Sequence, residues 1–223
     1  ILNLDGTRTY DGGSSIAAGL LTLRGMVSGE DLDLSGHGSL DNKNVGANKH
    51  INNGTLMLAD GQGGLAGNYT LEGGQHRATI TRATLNVQGV GAANKVYDAT
   101  NDATLTGTAT VLALGIDQLG VTGGSAAFAD KHAGNGKTVT VGGFSLQGAD
   151  AANYDLVQPG NITADIAKAS VVVTGVGAAN KVYDATTGAT LTGKATVLAL
   201  GDDQLGVTGG SAAFADKHAG NGK

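Results

Sequence analysis

Thr104-Leu105-Thr106-Gly107-Thr108-Ala109-Thr110-Val111 sets Leu105, Ala109 and Val111 on one side of an extended chain and four threonines on the other. Side chains alternate across a strand with a period of two, so this stretch reads as a half-buried β-strand. The same octet recurs as Thr190 to Val197 with one change, Lys194 for Thr108, which puts a charge on the face assigned to solvent. Ile162, Ala164 and Ile166 alternate with Thr163 and Asp165 in the same way. In Lys137 to Leu146 the apolar set moves from odd to even positions across Gly142-Gly143. A bulge or tight turn there keeps Val139, Val141, Phe144 and Leu146 on one core. Val121-Thr122-Gly123-Gly124-Ser125 reads as a hairpin turn, because glycine enters positive φ freely. No helical stripe of ten or more residues competes with these patterns, and the chain is expected to be all-β.

The recurrence extends far beyond the octet. Gln88 to Lys137 reappears as Thr174 to Lys223, and only five of the 50 aligned positions differ. An older copy precedes them: Thr9-Tyr10-Asp11-Gly12 matches Val96-Tyr97-Asp98-Ala99, and Asn68-Tyr69-Thr70-Leu71 matches Asn153-Tyr154-Asp155-Leu156. A period of about 86 residues exceeds that of solenoid repeats and suits a small domain. The expected boundaries are repeat 1 at 1–82, repeat 2 at 83–168 and repeat 3 at 169–223, the last truncated. The joints near Arg82 and Lys168 hold neither proline nor a glycine run, so short, stiff connections are expected. A third copy without its second half cannot bury an adequate core alone. Either the structural frame is offset from the sequence frame, or a neighbour completes it.

Each repeat is expected to hold roughly seven or eight short strands in an Ig-like β-sandwich. Asp150-Ala151-Ala152-Asn153-Tyr154 has the spacing of a tyrosine corner, in which the hydroxyl bonds back to nearby backbone. Leu156 stands where such a fold carries a disulfide cysteine, and the first copy keeps Tyr69 but has Leu65 at the Asp position. Another sandwich or barrel, or a β-grasp-like unit with a short helix, remains open on these patterns.

Composition narrows the function. The 223 residues include 39 glycines, one proline, no cysteine and no tryptophan; 15% are charged, 4% aromatic, and the net charge is −5. So few aromatics cannot fill one large interior, which argues for several small cores. Fourteen basic against 19 acidic residues give no footprint for nucleic acid. Cysteine-based zinc sites and disulfides are excluded. No apolar run reaches the roughly 18 residues of a membrane helix. With no initiator methionine or leader pattern, the chain reads as a piece of something larger.

Candidate chemistry is sparse. Gly89-Val90-Gly91-Ala92-Ala93-Asn94 looks like a dinucleotide loop but follows no βαβ pattern and recurs at Gly175 to Asn180, so a glycine-rich inter-strand loop is the expectation. His37, His50, His76, His132 and His218 show no metal-binding spacing and are expected on surface loops. The acidic turns align so that Asp31, Asp117 and Asp203 are equivalent; clustered oxygens could hold calcium, but copy two offers one carboxylate only. Lys95 beside Tyr97-Asp98 invites a lysine–asparagine isopeptide, yet Arg8 replaces it in copy one. The recurring Tyr10-Asp11, Tyr97-Asp98 and Tyr183-Asp184 are expected to close a strand end, with the ring half buried and the carboxylate on backbone amides. Asn53, Asn68 and Asn161 begin Asn-x-Thr sequons. No Gly-x-Ser-x-Gly elbow is present. No catalytic, cofactor-binding or metal residue is assigned, and the chain is expected not to be an enzyme.

The order of motifs carries a resemblance. Lys95-Val96-Tyr97-Asp98-Ala99-Thr100, Phe128-Ala129-Asp130-Lys131, Gly134 to Val141, Leu146 to Tyr154 and Ile162 to Ile166 follow one another as in the YDG and MBG repeats of large secreted bacterial adhesins. These adhesins are of the filamentous-haemagglutinin type, exported by two-partner secretion. Tyr-Asp-Gly itself stands only at Tyr10-Asp11-Gly12; the later copies read Tyr-Asp-Ala. The resemblance implies a non-catalytic stalk at the bacterial surface whose partners are neighbouring repeats, with self-association through sheet edges as a hazard. It names no receptor. A glycan-binding or self-associating adhesive module is the alternative, disfavoured because eight aromatics serve all the copies and five are tyrosines in motif positions.

Overall fold

A computed structural model describes residues 1–223 as an all-β chain of 20 strands and three short 3-10 turns. The first repeat holds β1 (Asn3–Thr9), β2 (Ser15–Ala17), β3 (Leu21–Arg24), β4 (Leu32–Ser35), β5 (His37–Leu40), β6 (Gly46–Asn52), β7 (Met57–Asp60) and β8 (His76–Thr81). The second holds β9 (Ala83–Asn86), β10 (Gln88–Ala92), β11 (Lys95–Val96), β12 (Leu105–Thr110), β13 (Gly120–Phe128), β14 (Gly134–Gln147), β15 (Tyr154–Val157) and β16 (Ile162–Ala167). The third holds β17 (Val173–Ala178), β18 (Gly188–Ala189), β19 (Leu191–Val197) and β20 (Ala212–Ala213). The sheets are open and do not close into barrels.

By packing, the chain forms two compact units: Ile1–Gly91 with Leu105–Ala126 and Val141–Ile162, and Ala92–Thr104 with Ala127–Thr140 and Thr163–Lys223. In the first unit a six-stranded sheet runs β2-β5-β6-β8-β1-β3, with β1 and β8 parallel from Leu4–His76 to Thr9–Thr81. Alternation sets its register: Leu4 on β1, Ala78 and Ile80 on β8, and Ile51 on β6 all point inward. A one-residue slip would turn each of these to water, which is why the pairing is unique.

The interior of this unit corrects the expectation of separate small cores. Leu2, Leu4, Ile16, Ile51, Leu71 and Ile80 of the first repeat share one apolar cluster with Ala83, Leu85 and Tyr154 of the second. The cause is the link between repeats. β8 and β9 are separated by Arg82 alone, so one extended segment leaves the first repeat's sheet and pairs in parallel with β15, Ala83 opposite Tyr154. Burying a Leu or Ile side chain is worth roughly 1.5–3 kcal/mol, and sharing one interior lets a repeat poor in aromatics gain it from its neighbour.

Two glycine pairs read differently in the structure. Gly143 takes φ +78° inside the continuous strand β14, and Val139, Val141 and Phe144 are all buried, as the change of phase demands. Gly123 and Gly124, however, do not form a hairpin turn: β13 runs on through them at φ +80° and +105°. A Cβ at Gly124 would lie 2.3 Å from the Phe144 ring, so the glycines bend the strand over that side chain.

A four-stranded sheet is ordered β11-β16-β14-β13, and the second unit holds two antiparallel strand pairs, β17-β19 and β18-β20. Its β17–β19 ladder slips register between Thr174 and Val176, where Gly175 and Gly193 let the backbones approach. In the third repeat the apolar residues Val172, Val182, Leu198 and Leu205 stand exposed.

Candidate functional site

The three Tyr-Asp motifs build the same loop. The Asp98 carboxylate accepts bonds from the Thr100 N–H at 2.9 Å, the Thr100 hydroxyl at 2.9 Å and the Lys95 ammonium at 2.8 Å. Asp184 repeats this with Thr186 and Lys181, and Asp11 accepts the Gly13 N–H at 2.9 Å beside Arg8. The Lys95 ammonium and the Thr100 donors hold the Asp98 carboxyl down at about 2; Lys181 and Thr186 do the same for Asp184. Lys95 also bonds the Thr100 carbonyl and lies 5.6 Å from the Phe128 ring, so its amine ties the loop and meets no asparagine.

The residue after each Tyr-Asp turns left-handed: Gly12 at φ +84°, Ala99 at +66° and Ala185 at +62°. Glycine alone reaches this region without strain, which explains the third letter of Tyr-Asp-Gly. At Gly12 an added Cβ would lie 3.5 Å from the Leu114 carbonyl, on the turn of the next repeat that carries Asp117.

The tyrosine hydroxyl is the part that sequence reasoning missed. Tyr10, 2% exposed, donates to Asp117 of the following repeat, 107 positions away. Tyr154 donates to the same carboxylate at 2.7 Å and accepts the Leu114 N–H at 3.1 Å. Lys43 pairs with Asp117 and also with Asp150 at 2.8 Å, and its ammonium lies 5.9 Å from the Tyr10 ring. The two tyrosines pack edge to face, centroids 5.2 Å apart at 79°. Asn153 adds a bond from the Val45 N–H at 2.9 Å. Two repeats are thus clasped around one carboxylate whose side chain is fully buried.

Electrostatics favour the ionised centre. Burial by itself would push the Asp117 carboxyl up, but Lys43, Tyr10 and Tyr154 together outweigh it and hold it below the usual range. Asp117 and Asp150 raise the Lys43 ammonium. Burial first, and the Asp117 carboxylate second, push the Tyr154 hydroxyl up to about 12; Tyr10 rises for the same two reasons.

The second unit repeats the clasp one step along the chain. Tyr97 donates to Asp203, 106 positions away, Lys131 bonds Asp203 at 2.6 Å, and the Lys131 ammonium lies 5.9 Å from the Tyr97 ring. A cleft lined by Tyr97, Asp203, Leu200 and Leu205 opens beside this second clasp.

Several expectations change. Tyr69 and Tyr154 do not bond to backbone a few residues away: each reaches across to the acidic turn, Tyr69 to Glu30 and the Val27 N–H, Tyr154 to Asp117 and the Leu114 N–H. The corner therefore ties the carboxylate turn, and Asp150 serves Lys43 and the Gln118 N–H. In copy one Glu30, and not Asp31, takes the role of Asp117; Asp31 instead bridges to Gly63. His76 is 3% exposed on β8 and bonds the Leu71 carbonyl at 2.7 Å, where a surface loop was expected; His37, His50, His132 and His218 are exposed. Gly89 bends β10 against Thr108, and Asn94 accepts the Asp165 N–H at 2.8 Å, so that segment is strand and strand end. Asn53 follows β6, Asn68 closes a 3-10 turn, and Asn161 directly precedes β16. No group of three or more His, Asp or Glu side chains is placed to hold a metal ion, and no helix is long and apolar enough to cross a membrane.

The family model for the YDG domain matches residues 2–78, 81–163 and 167–223. The chain belongs to the YDG domain family. This family is non-catalytic, and its tandem repeats are structural or adhesive modules found generally in secreted and surface adhesins. No curated protein matches the chain, and no solved structure does. The YDG name marks the clasp loop: Tyr supplies the hydroxyl that crosses to the next repeat, Asp ties the loop to its own backbone, and Gly allows the left-handed turn beneath.

Proposed function

We propose that the chain is a spacer segment of a secreted bacterial surface adhesin, its YDG repeats at 1–82, 83–168 and 169–223 locked in series to project a binding region. The observation that carries this reading is the twofold occurrence of one junction: Tyr10 and Lys43 on Asp117, then Tyr97 and Lys131 on Asp203. A module built to bind something else keeps its polar side chains free for that ligand, whereas these repeats use them on each other. The single-residue link at Arg82 supports the same view, since it leaves little slack between repeats. Each repeat is read as a variant of the Ig-like plan on its alternating strands, with an interior that the first two repeats share. Export by two-partner secretion follows from the resemblance of the motif order.

Small-angle scattering on arrays of two, three and four complete repeats tests the proposal. A spacer gains a constant increment in maximum dimension per repeat. Arrays that collapse, so that the dimension grows only as the cube root of mass, would refute it.

A further inference from the structure

The first clasp brings two phenols from different repeats into one buried place. Tyr10 is 2% exposed and Tyr154 5%, and their rings meet edge to face with centroids 5.2 Å apart. Both hydroxyls donate to the same oxygen, Oδ2 of Asp117. The carbons ortho to a hydroxyl adjoin the carbon that bears it. Hydroxyls that converge on one atom therefore bring the ortho edges of the two rings together as well.

These are the conditions under which phenols couple on oxidation. A phenol gives up an electron far more readily when its proton can leave at the same time. Burial first, and the Asp117 carboxylate second, push both hydroxyls up, so both are protonated at neutral pH. Asp117 is held ionised and is already bonded to each, which makes it the proton acceptor in place. A radical formed on one ring has the other phenol against it, and burial shields both from solutes that would quench it.

We propose that Tyr10 and Tyr154 form a dityrosine site: a one-electron oxidant, such as a high-valent haem or metal complex, joins them through their ortho carbons and welds the first repeat to the second. Each ring loses one electron to the oxidant and its phenolic proton to Asp117 and on to solvent. The two ortho carbons then form one C–C bond. Each ortho hydrogen moves to its own phenol oxygen as the ring regains aromaticity. Two electrons and two protons leave in all, two equivalents of oxidant are reduced, and both hydroxyls are restored. Closing the bond asks the rings only to slide within the clasp. The chain has no cysteine, so this is a covalent tie between repeats that needs no disulfide. The proposal does not rest on the spacer reading, because any two repeats clasped in this way would react alike.

Photo-oxidation of the full chain with tris(bipyridine)ruthenium and persulfate, at low concentration, is the test. The monomer is isolated, digested with trypsin and analysed by mass spectrometry. Peptides Thr9–Arg24 and Thr138–Lys168 hold one tyrosine each and are expected as one species, lighter than their sum by two hydrogens and carrying the blue fluorescence of dityrosine. Tyr10→Phe and Tyr154→Phe, each checked for folding by circular dichroism, should lose this species while their remaining tyrosines still oxidise. The cross-linked monomer should unfold at a urea midpoint about 2 M higher, because the bond closes a long loop in the unfolded chain. A wild-type monomer without the linked peptide although Tyr69, Tyr97 and Tyr183 are oxidised, an equal yield from chain oxidised in urea, or an unchanged midpoint would each overturn the inference.

Discussion

Asp117→Asn removes one charge from the centre of the first clasp and almost no volume. The wild-type carboxylate, with its side chain fully buried, accepts two tyrosine hydroxyls and one ammonium. An asparagine offers one acceptor oxygen, and its NH2 faces a group that itself donates. Breaking a buried pair by removing one partner costs about 3–5 kcal/mol. Lys43 keeps Asp150 at 2.8 Å and is 29% exposed, which places the loss at about 3 kcal/mol, the lower end of that range. With a urea slope of about 2 kcal/mol per molar, the midpoint of the first unit drops by about 1.5 M. The chain has no tryptophan and five tyrosines, so tyrosine fluorescence reports the clasp directly. Asp203→Asn is the internal control: its side chain is 22% exposed and meets one tyrosine, so it should lose clearly less. A change below about 0.5 kcal/mol at Asp117, typical of an ordinary surface site, would refute the reasoning, as would a larger effect at Asp203.

Ala99→Gly relieves a left-handed alanine at φ +66° and should stabilise by about 0.5–1 kcal/mol after the added freedom of the unfolded chain is subtracted; Gly12→Ala should destabilise, and both are read by thermal melting. Gly124→Ala places a methyl in the Phe144 ring at φ +105° and should destabilise by at least about 2 kcal/mol, checked by urea unfolding. In acid, the carboxyls of Asp98 and Asp184, held at about 2, contribute stability above their unfolded values near 4 that is lost as pH falls from about 4 towards 2; an acid titration by circular dichroism checks this window. In alkali the sign reverses, because Tyr154 has a folded value of about 12, above the unfolded value of about 10. Its contribution is complete below pH 10 and is lost between about 10 and 12, followed through tyrosinate absorbance.

The strands were legible because their cause is local. Leu105, Ala109 and Val111 alternate with threonines, and β12 follows them, with Thr106 and Thr108 exposed. The bulge at Gly143 was legible for the same reason: a change of apolar phase needs an extra residue wherever it occurs. At Gly123-Gly124 the letters are equally glycine-rich, but the choice between turning and bending depends on the Phe144 ring, twenty residues away in sequence and adjacent in space. The clasp lay in between. Alignment of Asp31, Asp117 and Asp203 pointed to a shared role, but a role across repeats leaves no periodic trace. The signals available were the matching separations of Tyr10 from Asp117 and Tyr97 from Asp203, together with Lys43 and Lys131 recurring in step. Glu30 follows Tyr10 by the same interval that separates Asp117 from Tyr97, but an alignment of letters prefers the identical Asp31 one residue on.

The claim that the repeats are joined through one shared carboxylate is tested most directly by a double-mutant cycle on Tyr10→Phe and Asp117→Asn, measured by urea unfolding. The hydroxyl and the carboxylate meet only at the boundary between the first two repeats, so their coupling belongs to the junction alone. A coupling energy of about 1–2 kcal/mol is predicted. Losses that add within about 0.3 kcal/mol would mean that Tyr10 and Asp117 stabilise their own repeats separately and that the junction is mere proximity.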